Sequence, residues 1–105
     1  MSYTEFRFTL PKGLVDSDGG INRSGIMRLA TGKDEIYIQK EPRVRDNPDY
    51  AVLVILSRVI TSLDKIYSIT PELLEQLFLI DLVYLREFYN QINQQDGVDF
   101  SVGES

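Results

Sequence analysis

The residues with chemistry to offer in this sequence are its carboxylates and tyrosines, because the side chains that most often do chemistry are missing. There is no histidine and no cysteine. That removes the commonest general base, the commonest metal ligand, thiolate nucleophiles and disulfides. Two carboxylate pairs stand out, Asp34–Glu35 and Glu72–Glu75. A hydrolase needs two such acids opposed across a cleft with separated pKa values. Both pairs fall instead where first helical turns are expected, and the helix dipole favours acids there. Asp16-Ser17-Asp18-Gly19-Gly20 begins like a calcium loop. The fifth, sixth and twelfth places of that loop need an oxygen ligand, glycine and glutamate, and hold Gly20, Ile21 and Met27. A hairpin turn is the better reading. Gly13, Gly19, Gly20, Gly25 and Gly32 form no phosphate-cradling pattern. No serine or lysine has an evident activating base. The expectation is therefore a protein that is not an enzyme, with no catalytic residue, no metal and no cofactor.

Two kinds of residue remain as candidates. Arg58 is the one charge inside the most apolar stretch of the chain. A half-buried arginine normally has an internal partner, and Asp34, Glu35 and Asp81 are the acids placed to supply one. The competing reading is a bidentate grip on the carboxylate of another protein. Of the aromatic residues, Tyr37, Tyr67, Tyr84 and Tyr89 occupy positions that can leave a ring at the surface, where tyrosine is a favoured binding anchor.

The element that must position these groups is the stretch from Asn47 to Leu63. Val52, Leu53, Ile55, Leu56, Val59, Ile60 and Leu63 follow helical spacing, with Asn47 as cap and Pro48 in the first turn. The spacing predicts a core helix over 48–63, and its apolar run is too short to span a membrane. Upstream, Phe6, Phe8 and Leu10 alternate with Glu5, Arg7 and Thr9, which predicts a strand that Pro11 ends or confines to an edge. Leu14-Val15 and Ile21 can extend the paired arms across the turn, and Ile26 to Ala30 is the expected return strand. Together these make a hairpin over 3–30. Thr31 caps a short helix over about 32–40, although Ile36-Tyr37-Ile38 also suits a short strand. Glu41 to Asp46 reads as a charged connector. Thr70-Pro71-Glu72 opens a helix over 71–79, and Asp81 is taken as the cap of another over 82–94; one continuous helix over 71–94 is the rival.

The fold class expected is α+β, an N-terminal antiparallel β-hairpin packed on a bundle of three to four helices. Residues 1–94 form a single globular domain, and 95–105 a flexible acidic tail. The net charge is −5, from 11 basic and 16 acidic side chains. An acidic chain without a basic cluster is poorly suited to a phosphate backbone, so nucleic acid is not an expected partner. MSYTEFRFTL lacks the pattern of a secretory signal, and a cytoplasmic location is expected.

The order of these elements, with "RLATGKDE", "LSRVI", "TPELLEQL" and "DLVYLREFYNQIN" in succession, resembles the small tail assembly chaperones of contractile-tailed bacteriophages and of phage-tail-like injection systems. The likeness covers roughly residues 6–94. The LPKGLVDSDGG arm is longer than the simple family form, and the 95–105 tail has no counterpart. The resemblance implies a non-catalytic chaperone that holds tape-measure or tube proteins during tail assembly; a homo-oligomer is compatible with the sequence, which does not give the oligomeric state. The alternative is a permanent structural or adaptor subunit of a contractile tail or baseplate.

Overall fold

A computed structural model describes residues 4–94. Tyr3, where the hairpin is expected to begin, and the tail over 95–105 lie outside the described residues. Strand β1 spans Glu5–Val15 and pairs antiparallel with β2, Ile21–Arg28, so the return strand starts five residues before Ile26. The alternation in β1 sends Phe8 and Leu10 into the core and leaves Glu5, Arg7 and Thr9 in solvent. Pro11 does not end the strand. It lies on an edge of the sheet, where no ladder hydrogen bond is lost, and the register shifts between Thr9 and Leu14. Gly13 has φ +106°, and a Cβ there would lie 2.5 Å from the Arg23 side chain.

The segment over 48–63 is not one helix. Pro48–Tyr50 form a 3-10 turn, and helix α3 runs only from Ala51 to Val59. Ile60–Leu63 leave it as a third strand, β3, which pairs antiparallel with β2 and gives the sheet order β1-β2-β3. Val59-Ile60-Thr61 is a β-branched run, which suits a pleated surface better than a helix end.

Helix α1, Gly32–Lys40, follows Thr31 as expected, and Ile36-Tyr37-Ile38 are helical within it. The connector contains a short helix, α2, over Pro42–Asp46, capped by the Glu41 side chain. Helix α4 is a single turn, Pro71–Leu74, whose Leu73 N–H donates to Thr70 Oγ1 at 3.1 Å. A turn separates it from α5, Leu79–Asn93, the longest helix among the described residues. The described residues therefore form an α+β fold, a three-stranded antiparallel sheet with five α-helices.

One face of the sheet meets α3, α4 and α5. Phe8, Leu10, Leu14, Met27, Leu56, Val59, Ile60, Leu63, Leu74 and Leu85 form the buried cluster between them. Gly25 allows the closest approach in it. A Cβ there would stand 2.4 Å from the tip of the Phe8 ring and 2.6 Å from the Ser62 carbonyl oxygen.

Candidate functional site

Asp34 is the best-connected carboxylate among the described residues. Its position in the first turn of α1 lets it reach back to the Thr31 N–H at 2.8 Å. Arg28, at the end of β2, grips it with both terminal nitrogens at 2.9 Å, and Arg58 of α3 donates through Nε at 2.8 Å. The acid is 1% exposed, while both arginines keep a quarter or more of their side chains in solvent. Three elements are thus tied to one carboxylate. Arg28 holds the Asp34 carboxyl far below the usual carboxylate range, against its burial, with help from the Thr31 N–H and Arg58. Such a weak base, with both oxygens occupied, is suited to holding position and not to moving protons.

Of the three acids expected for Arg58, only Asp34 meets it. Glu35 is exposed and forms no ion pair among the described residues. Asp81 is fully buried but pairs with no side-chain cation among the described residues. Its two oxygens accept the backbone N–H groups of Lys12 and Gly13, each at 2.8 Å. Phe78, not Asp81, is the cap of α5, and Asp81 lies one turn inside. It fastens the irregular part of β1 to that helix and satisfies two donors that the register shift strands. Tyr89, whose hydroxyl feels the charges of Asp34 and Glu35, is eight residues further along α5, about 12 Å in axial rise. The two buried acids therefore work at opposite ends of the helix.

Four further carboxylates, Asp16, Glu41, Glu72 and Glu75, are also engaged. Asp16 accepts from the Asp18 and Gly20 N–H groups and from Asn22 Nδ2, closing the hairpin turn on itself. Arg43 stacks over Tyr50, pairs with Glu41 at 3.0 Å and with Glu72, and the Tyr50 hydroxyl donates to Glu75 at 2.7 Å. This exposed network joins α2 to α4.

The four tyrosines divide. Tyr67 is 76% exposed, in the loop after β3. Tyr37 is 46% exposed, with the Arg58 guanidinium 4.1 Å above its ring centroid. Tyr84 is half-buried. Its ring stacks on Phe88 at 6.0 Å, and its hydroxyl accepts the Thr9 N–H at 3.3 Å. Tyr89 is half-buried, and burial raises its pKa.

The surface feature that the tyrosines do not reveal lies at the start of α5. Phe78, Leu79, Ile80 and Val83 are all exposed, Leu79 by 74%. Asp81, Leu85 and Phe88 point to the core from the other side of the same helix. A signal for this ridge exists in the sequence. Measured from the stripe through Leu82, Leu85 and Tyr89, the residues at 79, 80 and 83 are apolar and off it. Further along, Val52, Ile55 and Leu56 of α3 face Arg86, Tyr89 and Asn90 of α5 across a groove of about 190 Å³. Leu79, Val83, Arg86 and Asn90 recur at i, i+4, i+7 and i+11, so ridge and groove share one helix face.

Among the described residues no three carboxylates gather closely enough to hold a metal ion, and no helix is long and apolar enough to cross a membrane. The fold and these surfaces define a small α+β domain whose internal acids are occupied and whose apolar side chains project along α5. Compared with protein-family models, curated proteins and solved structures, the chain finds no match.

Proposed function

We propose that this protein is a non-catalytic assembly chaperone for a phage-like tail, which holds the helices of a tape-measure protein while tube subunits assemble around it. The observation that carries the reading is the ridge of Phe78, Leu79, Ile80 and Val83. Four large apolar side chains in a six-residue span, the cap and first turns of one helix, are a heavy exposure for a domain this small, and such a patch suits docking against an amphipathic helix. The order of the sequence elements, which resembles tail assembly chaperones, supplies the identity of that helix. The buried acids support a non-catalytic role because each is committed to holding elements together.

Co-expression with the tape-measure and tube genes of the same neighbourhood tests the proposal. The expected result is a soluble complex with the tape-measure protein, weakened at least tenfold by Leu79→Asp combined with Val83→Asp, and no copy of this chain in purified mature particles. Its presence in mature particles at fixed stoichiometry would overturn the chaperone reading in favour of a permanent tail or baseplate subunit.

A further inference from the structure

The outward face of α5 repeats with a period of seven. Leu79, Val83, Arg86 and Asn90 are separated by four, three and four residues, the spacing of the d and a positions of a coiled-coil heptad. With Leu79 and Arg86 at d and Val83 and Asn90 at a, Asp81 and Phe88 take f positions and Leu85 a c position. Those are the places that a two-stranded coil leaves in solvent, and in this fold they turn to the core. Among the described residues the seam itself stays uncovered. Its four residues are exposed, as are Ile80 and Glu87 on its e flank.

The residue types on the seam are those that hold two helices in one register. Leucine at d with a β-branched residue at a favours two strands, and a single asparagine at a fixes their alignment. Arg86 has no ion-pair partner among the described residues, so it is free to meet an acid across the seam. A second copy of this chain fits poorly. In a parallel pair in register Arg86 faces Arg86. In the antiparallel pair centred on these four residues, Leu79 faces Asn90 and Val83 faces Arg86. Like charges in one arrangement and apolar-against-polar layers in the other keep self-pairing weak and favour a different partner. Beside Arg86 and Asn90, Val52, Ile55 and Leu56 of α3 supply a second wall.

We infer that this seam binds one helix of another protein as the second strand of a short parallel coiled coil. It selects a partner with an acidic residue at the d position opposite Arg86 and asparagine at the a position opposite Asn90. The inference rests on the ridge being the docking surface, and it holds whichever protein carries the helix.

Synthetic helices test this without any tail protein. One peptide of about three heptads carries leucine, valine, glutamate and asparagine at successive d, a, d and a positions, and a second has lysine in place of that glutamate. Each is titrated into the isotope-labelled full-length protein and followed by amide NMR, which also reports that every variant is folded. The glutamate peptide should bind about tenfold more tightly than the lysine peptide, with shifts concentrated in residues 79–90 and in Val52 and Ile55. Arg86→Glu should reverse that preference, and Leu79→Asp should abolish binding of both peptides. Equal affinity for the two peptides, or no binding of either, would overturn the proposal, as would shifts centred on the hairpin. Such a failure with capture of the tape-measure protein intact would leave the chaperone reading standing. Selective binding of the glutamate peptide without a tape-measure complex would do the reverse.

Discussion

At the scale of single residues, the cluster around Asp34 makes the sharpest demands. Asp34→Asn leaves Arg28 and Arg58 facing a neutral amide, and one amide nitrogen must point at a donor. Removing one member of a buried ion pair costs about 3–5 kcal/mol. The partial exposure of both arginines puts the expected loss at the low end, about 3 kcal/mol, measurable by urea unfolding. The pH dependence has a definite sign. The folded-state pKa lies below the unfolded value of about 3.9, so the contribution is fully present above that value and is lost progressively as pH falls from there through the folded-state pKa. Stability curves of wild type and Asp34→Asn should run parallel from pH 7 to about 5 and converge below about pH 4. A gap that widens on acidification would contradict this assignment. Asp81→Ala makes a second demand, since it strands two backbone donors in a buried site. A loss of about 2–4 kcal/mol is expected, at about 1–2 for each donor. That Arg58 needs an internal acid is legible in the sequence, because a charge in an apolar helix needs a partner. Asp34, Glu35 and Asp81 are equal candidates there, and the fold selects Asp34. The part played by Arg28 is not legible, because nothing local brings a strand end to a helix start. Asp81 misleads for a similar reason. Its partners are backbone groups freed by an irregularity in a strand sixty-eight residues away, and a sequence shows no backbone.

At the scale of elements, the hairpin, the cap at Thr31 and the helix start at Thr70 follow from local chemistry. Alternation, side-chain capping and proline at the first turn each act within a few residues. The end of α3 does not follow in that way. Ile60 and Leu63 continue the helical spacing of Val52, Ile55 and Val59, and both are buried in the strand. The decision falls to β2, whose free edge is satisfied when Ile60–Leu63 extend and pair with Gly25–Met27. Tertiary pairing overrides local spacing here. The joint also predicts where the sheet is fragile. In Gly25→Ala the added methyl meets both the Phe8 ring and the Ser62 carbonyl, so β3 or the ring must shift. Overpacking of this kind costs about 1–3 kcal/mol. Hydrogen exchange should locate the damage, with faster exchange in β3 and little change in α1. Uniform destabilisation across the whole domain would argue against a local wedge between the strands.

At the scale of the whole molecule, the question is which apolar groups serve the fold and which serve the surface, and α5 carries both on opposite sides. Leu85 is 1% exposed and belongs to the core cluster, whereas Leu79 is 74% exposed on the ridge. Tyr84 belongs with Leu85. Its stacking on Phe88 and its bond to the Thr9 N–H make Tyr84→Ala destabilising, by about 1–3 kcal/mol, while Tyr67→Ala should be silent in unfolding. The ridge makes the more discriminating case. Surface substitutions away from buried features usually change stability by less than about 0.5 kcal/mol, which in a domain of this size moves Tm by about 2–4 °C. Leu79→Asp with Val83→Asp should therefore leave Tm within a few degrees of wild type, and Leu85→Asp should abolish cooperative unfolding. If the ridge is a docking surface, the free protein has an uncovered patch at high concentration. Sedimentation velocity should then show weak, concentration-dependent self-association of wild type that strengthens with added salt, as screening relaxes repulsion between chains of net charge −5. The double substitution removes the apolar contact and adds two like charges, so it should sediment as a monomer throughout. A double variant that self-associates as readily as wild type would show that other surfaces make the contact. One that loses its Tm along with Leu85→Asp would place Leu79 and Val83 in the core.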